Sequence, residues 1–133
     1  MDYRVIAPDE QEWKTRPHAE GEPARNVTEL SELAGMEHVR ANVWRYEPGA
    51  AGKRHRHPTQ DETFVVLAGT LSIYLGEPPQ RHDVTSGSLV HVEAGTALQS
   101  VNHADRDLVV YVHGWPPEEH HAELLPSVGL TPA

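Results

Sequence analysis

The amino-acid sequence predicts an all-β fold, a sandwich or barrel built from short antiparallel strands. Several short segments alternate apolar and polar residues with a period of two, which is the pattern of half-buried strands. Glycine, proline and polar turn residues separate these segments at intervals of about eight to twelve residues. No segment with helical periodicity is long enough to serve as the crossover of a parallel sheet.

The first part of the chain is polar and predicts little regular structure. Residues 1–38 are interrupted by three prolines, Pro8, Pro17 and Pro23. We therefore expect an extended N-terminal arm. Within it, the segment Thr28–Ala34 carries Leu30 and Leu33 at helical spacing. This spacing predicts one short helical turn that ends at Gly35.

The strand pattern begins at residue 39 and predicts a barrel over residues 39–117. It indicates seven strands, at residues 39–44, 63–67, 71–75, 81–84, 89–92, 98–102 and 107–113. Pro116 and Pro117 end the sheet structure, because proline lacks the amide that a central ladder requires. Residues 118–133 are then a polar C-terminal tail.

The composition excludes several classes of function. A chain of 133 residues is the size of one domain. It contains no cysteine, which rules out disulfides, thiolate metal sites and thiol catalysis. The net charge of −9 and the lack of a basic patch disfavour nucleic acid and anionic membranes as partners. Because no apolar segment has signal-peptide or membrane-span length, we expect a cytoplasmic protein.

Three residues between two predicted strands have the spacing of a metal site. His55 and His57 are two residues apart, so an extended backbone points both side chains to one face. Glu62 opens the next strand and can return to that face. Two imidazoles and a carboxylate suit Fe, Mn, Ni or Zn as divalent ions, and three ligands leave positions open. The alternative is a solvated surface segment, which is what we expect for other histidines such as His120 and His121.

The same stretch resembles the first sequence motif of the cupin superfamily. Its glycine, histidine and glutamate positions follow one another with gaps of five, one, four and six residues: Gly49, His55, His57, Glu62 and Gly69. The second cupin motif is matched downstream by Gly87, Gly95 and Asn102. The chain is similar to short, single-domain bacterial cupins. The resemblance implies a cupin β-barrel, a small jelly roll of antiparallel strands, with a divalent transition metal bound by the two histidines and the glutamate.

Two positions depart from the family pattern. Glu93 stands where the second motif usually has proline, and Leu98 stands where it usually has a histidine, the fourth metal ligand. Leucine offers no donor atom. Gln99 and His103 have the opposite strand parity and should point away from the pocket. The resemblance together with this departure implies three protein ligands rather than four.

Two kinds of function remain open at this point. The first is a metal-dependent enzyme, such as a dioxygenase, acting on a small organic molecule. The second is a non-catalytic small-molecule-binding or structural cupin with a degenerate metal site. The sequence contains no nucleophile elbow and no phosphate-binding glycine loop, and it identifies no catalytic residue beside the metal ligands.

The strand predicted at Thr63–Leu67 suggests how the chain associates. It is apolar at both parities, so both of its faces favour burial. One face meets the barrel core, and the other requires the N-terminal arm or a second subunit. We therefore predict a homodimer.

Overall fold

Two antiparallel β-sheets that pack face to face form the protein. The computed structural model describes residues 2–118 and 122–129, so His120 and His121 lie outside the described residues. The predicted all-β fold is confirmed, and the architecture is that of a small jelly roll. The helix α1 (Leu30–Ala34) has five residues, and no helix in the described part of the chain has the length and hydropathy of a membrane span.

Within the described residues, eleven strands build the two sheets. In chain order they are β1 (Trp13–Thr15), β2 (Arg25–Thr28), β3 (Arg40–Tyr46), β4 (His55–Arg56), β5 (Asp61–Ala68), β6 (Thr70–Leu75), β7 (Gln80–Thr85), β8 (Leu89–Val92), β9 (Leu98–Val101), β10 (Leu108–Trp115) and β11 (Glu123–Leu124). The first sheet has the order β1-β2-β3-β10-β5-β8, and the second has the order β11-β4-β9-β6-β7. The chain therefore alternates between the sheets as it runs through the barrel.

All seven predicted strands are present, and four short strands are additional. β1 and β2 lie in the N-terminal arm, where they pair with each other, and β2 pairs with β3. β4 and β11 have two residues each and pair in the second sheet. Segments this short carry no alternation that a sequence pattern can detect, because their pairing is determined by distant neighbours. The predicted helical turn is confirmed as α1, which ends at Gly35 with a φ of 69°.

The hydrophobic core lies between the two sheets. Residues of β10 alternate between buried and half-buried positions along almost the whole strand, as a strand with one face on a core requires. Strands β5, β6 and β10 contribute several of the most deeply buried apolar side chains: Val66, Leu71, Ile73, Leu108 and Val110. This core holds the sheets in the position that brings β4 and β5 together at the candidate site.

The glycines of the two motifs lie at turns, as predicted. Gly69 joins β5 to β6 with a φ of 78°, a conformation that residues with a side chain rarely adopt. A Cβ at this position would also lie 2.5 Å from the carbonyl oxygen of Asp107. Gly49, Gly87 and Gly95 have positive φ as well. Glycine is thus required by backbone geometry at Gly69, and none of the four is needed for anion binding.

The outer face of β5 is only partly covered. Phe64 and Val66 point into the core, whereas Leu67 is 51% exposed and Val65 is half-buried on the outside. Across the sheet, Val65 neighbours Tyr111 of β10 and Leu89 of β8. This apolar row is consistent with the predicted homodimer, which stays a prediction.

Candidate metal centre

The fold brings the three predicted ligands together at one end of the barrel. β4 carries His55, the loop after it carries His57, and the start of β5 carries Glu62. One donor atom from each of these three side chains lies within 4.8 Å of the others. The side chains are 24%, 16% and 13% exposed, respectively. The three groups could therefore hold one metal ion in a largely buried position.

The contacts of Glu62 fit a bound cation. Its Oε1 lies 2.9 Å from Nε2 of His57 and 3.6 Å from Nε2 of His55. Neither contact counts as a hydrogen bond, and Oε1 is buried with no hydrogen-bond partner among the described residues. A buried carboxylate oxygen without a donor is costly. Two imidazole nitrogens and one carboxylate oxygen converging on the same space form a donor set that suits a divalent transition metal.

Hydrogen bonds on the far side of each ring fix the direction of both imidazoles. His55 Nδ1 donates to the carbonyl oxygen of Lys53 over 2.8 Å. His57 Nδ1 lies 3.2 Å from Oε2 of Glu118. A proton on Nδ1 leaves the lone pair of Nε2 free, and Nε2 is the nitrogen that faces Glu62 in both rings. Such an outer hydrogen bond is the usual way in which proteins orient a metal-ligating histidine.

Glu118 is a functional residue that the sequence did not reveal. Its Oε1 accepts hydrogen bonds from the backbone amides of Thr59 and Gln60, at 2.7 and 2.8 Å. The side chain is 6% exposed. It reaches these partners from the segment after β10, which the sequence assigned to a polar tail, and no spacing rule connects the two segments. Glu118 thereby ties the loop of His57 to the end of the barrel.

The ionisation of the site follows from these contacts. Burial alone would raise the pKa of Glu62, but the imidazoles of His55 and His57 outweigh it and lower the pKa to about 2. Burial opposes the charged form of His57, but Glu62 and Glu118 outweigh it and raise the pKa of His57 above its ordinary value. The metal-free site therefore favours a carboxylate at Glu62 beside a protonated His57 in mildly acidic solution.

Leu98 occupies the fourth side of the site. It begins β9, it is 2% exposed, and its Cα is paired directly with that of His55. Gln99 points the other way, where its amide nitrogen donates to the carbonyl oxygen of Gly52. His103 contacts the hydroxyl of Tyr74 instead of the site. The predicted orientations are confirmed, and the described residues supply three donor side chains at this place.

A cavity of about 370 Å³ opens beside the three ligands. Leu98, Phe64 and four other apolar side chains, Trp44, Tyr46, Val110 and Val112, form much of its wall. Its volume is in the range of small-ligand pockets. The remaining wall includes charged residues of the N-terminal arm, which the sequence analysis did not connect with the site.

The same fold occurs in several solved structures. A cupin-superfamily sugar phosphate isomerase from Silicibacter pomeroyi superposes with a TM-score of 0.73 at 25% identity, covering 84% of this chain and 75% of that one. A predicted oxalate decarboxylase from Thermotoga maritima gives a TM-score of 0.74 at 14% identity, covering 86% and 100%. A polyketide cyclase from Streptomyces resistomycificus gives 0.75 at 16% identity, covering 96% and 88%. The last two likenesses show the fold alone.

Sequence comparison identifies the family. A search of curated proteins finds no match. A family model described as a cupin domain matches residues 42–114, which contain the three candidate ligands and both motifs. The matched range also contains Leu98, so the departure at the fourth position lies inside the domain. This chain belongs to the cupin family.

Proposed function

We propose that the protein binds one divalent transition metal through Nε2 of His55, Nε2 of His57 and the carboxylate of Glu62. With this ion it acts on a small organic molecule that binds in the cavity. The single observation that carries the proposal is the buried Oε1 of Glu62, which faces two imidazole nitrogens and has no hydrogen-bond partner among the described residues. A cation between the three groups would satisfy it.

The donor set narrows the identity of the ion. Two nitrogen donors disfavour Mg and Ca, which prefer oxygen ligands, and favour Fe, Mn, Ni or Zn. When bound, the ion would supply Lewis-acid polarisation of an oxygen atom of the substrate. The chain's own residues shape the rest of the site. Leu98 and Phe64 limit water beside the ligands, and the Nδ1 partners of His55 and His57 keep both rings aligned.

A second candidate is a binding module without chemistry. One specific observation favours it: among the described residues that line the cavity, no carboxylate or histidine is present besides the three ligands. Besides the candidate ligands, the described cavity wall therefore offers no carboxylate or imidazole as a general acid or base. The hydroxyl of Tyr46 lines the cavity, but burial raises its pKa, so it stays protonated near neutral pH and does not serve as a general base.

Metal analysis tests the proposed ligands. The protein is produced without a histidine tag, dialysed, and measured by elemental analysis beside the variants His57→Ala and His82→Ala. His82 is an exposed histidine of β7 and serves as the control. We expect His57→Ala to lower the metal content several-fold, because two ligands remain, and His82→Ala to leave it unchanged. Equal metal content in the wild type and His57→Ala, with circular dichroism showing both folded, would refute the site.

A second assay separates the two candidate functions. The metal-loaded protein is mixed with a panel of small carboxylic acids, and oxygen uptake and product formation are followed. Turnover that His57→Ala abolishes supports an enzyme, such as a dioxygenase when oxygen is consumed. Binding of the same acids without turnover supports the binding module.

A further inference from the structure

The cavity beside the candidate metal centre is cationic, although the chain is acidic. Four of its lining residues are basic and only one, Glu62, is acidic: the basic ones are Arg16, Arg25, Arg40 and Lys53. The whole chain has a net charge of −9. A concentration of positive charge around this cavity favours an anionic ligand through local electrostatic focusing.

These cations are not neutralised by described carboxylates. No ion pair within the described part of the chain involves Arg16, Arg25 or Lys53, and the guanidinium of Arg40 reaches the carbonyl oxygen of Glu118 over 3.4 Å. In the same structure, Arg54 is paired with a carboxylate. The guanidinium groups in the cavity therefore keep donors available for a ligand.

Arg25 is the best placed of the four. It lies on β2, directly opposite Tyr46 of β3. Its guanidinium carbon lies 5.4 Å from the ring centroid of Trp44 and 5.9 Å from that of Tyr46, so two aromatic faces hold it in the wall. Gly52 lies beside this group, and a Cβ there would lie 2.8 Å from the hydroxyl oxygen of Tyr46. The absence of a side chain at Gly52 keeps the space around the guanidinium open.

A buried amide points to a ligand independently of the charges. Gln60 lines the cavity and is 4% exposed, and its side chain packs closely over Gly114. Its Oε1 is buried and has no hydrogen-bond partner among the described residues. A buried amide oxygen without a donor destabilises the free protein. A ligand with a hydroxyl or acid proton in the cavity would provide that donor.

We infer that the cavity takes a small organic acid, whose carboxylate lies against the guanidinium of Arg25 while another oxygen of the same molecule faces His55, His57 and Glu62. This inference deepens the proposed function and rests on it only for the contact between the acid and the candidate metal centre. The planar fork of arginine matches a carboxylate with two parallel hydrogen bonds. A carboxylate is favoured over a phosphate ester because the fork of Arg25 alone satisfies both oxygens of a carboxylate, whereas the third oxygen of a phosphate ester needs a donor from another residue.

Substrate choice would then depend on residues ahead of the part of the chain that matches the cupin domain. Arg16, Arg25 and Arg40 all precede residue 42, where the match to the cupin domain begins. The arm reaches the cavity because β2 joins the first sheet beside β3. The matched range thus provides the candidate metal ligands, and the chain ahead of it provides three of the four basic residues of the cavity.

Calorimetric titration with malonate tests this assignment, with malonamide as the uncharged analogue and glycerol 3-phosphate as the phosphate ester. Each probe is titrated at low ionic strength into the metal-loaded protein and into protein stripped with a chelator. The variants are Arg25→Gln, Arg25→Lys, which retains a charge, and Arg106→Gln. Arg106 does not line the cavity and serves as the control. Circular dichroism and the metal content of each variant are measured on the same samples.

We expect malonate to bind at least tenfold more tightly than malonamide or glycerol 3-phosphate. Arg25→Gln should weaken malonate binding at least tenfold without changing the metal content. Arg25→Lys should lose less of the malonate affinity, and Arg106→Gln should keep the affinity of the wild type. Equal binding of malonamide, preference for glycerol 3-phosphate, or unchanged binding in Arg25→Gln would overturn the inference. Malonate binding that depends on Arg25 in a protein that takes up no metal would refute the proposed function and leave the anion site standing.

Discussion

The substitution Leu98→His tests the geometry of the site most directly. Leu98 and His55 are paired across antiparallel strands, so their Cβ atoms are separated by about 4.5–5.5 Å. Leu98 is 2% exposed and lines the same cavity as the three candidate ligands. An imidazole at this position therefore starts within reach of an ion held by His55 and His57, and it fills a volume similar to that of the leucine it replaces.

The size of the effect follows from adding one ligand to three. A tenfold gain in metal affinity corresponds to about 1.4 kcal/mol, and a well-placed imidazole should exceed this value. The metal-free variant should in contrast be less stable than the wild type by about 1–3 kcal/mol, because it buries an imidazole without a partner. The substitution should therefore lower the stability of the metal-free protein and raise the affinity for metal. Metal addition should consequently raise the melting temperature more in Leu98→His than in the wild type.

Competition with a chelator at about pH 7.5, where most imidazoles are neutral, measures the affinities. Leu89→His is the matched control, since Leu89 is 63% exposed on β8. If Leu98→His folds as the wild type does but binds metal no more tightly than Leu89→His, the imidazole does not reach the ion. The reasoning on the position of Leu98 would then be refuted.

Three further predictions concern the surroundings of the site. Glu118→Gln should weaken metal binding about tenfold or more, because the carboxylate that orients His57 is lost. Glu123→Gln, at an exposed position, should leave metal binding unchanged. Chelator competition measures both variants. The folded-state pKa of Glu62 lies below its ordinary 4.5, so its stabilising contribution is complete above pH 4.5 and disappears as the pH falls toward 2. Thermal melts of metal-free protein should show this acid loss, and Glu62→Gln should show less of it. Light scattering of the wild type should give about twice the mass of one chain. Leu67→Glu should give the mass of one chain, because a charge buried in the interface disfavours association. A variant that is still a dimer would place the interface elsewhere.

The sequence predicted the barrel and the proximity of the three candidate ligands for separate physical reasons. Alternation with period two depends only on local residues, so the longer strands such as β5 and β10 were visible. The proximity of His55 and His57 follows from strand parity, and the return of Glu62 to the same face follows from its position at the start of the next strand. The position of Leu98 at the site followed from the cupin resemblance, and parity then directed Gln99 and His103 away from it.

What the sequence did not reveal depends on contacts between distant segments. Glu118 reaches the amide of Thr59 from a position 59 residues later, and no periodic pattern encodes that contact. β1 and β2 are short, and β1 is exposed along its length, so neither has the alternating burial that predicts a strand. Arg25 consequently looked like one polar residue of an extended arm, although β2 places its guanidinium against Trp44 in the cavity wall.

The candidate metal ligands and two of the residues around them lie in different parts of the sequence. The candidate metal ligands lie inside residues 42–114, the part that carries the family likeness. The same barrel fold occurs in proteins described as an isomerase, a decarboxylase and a cyclase, so the fold by itself does not determine a reaction. Arg25 and Glu118 lie outside that range, on either side of it; Arg25 lines the cavity, and Glu118 contacts Nδ1 of His57. Glu118 acts on the direction of His57, and Arg25 acts on the charge that a ligand meets. The features most able to distinguish this cupin from others with three such ligands are therefore the two segments that flank its barrel.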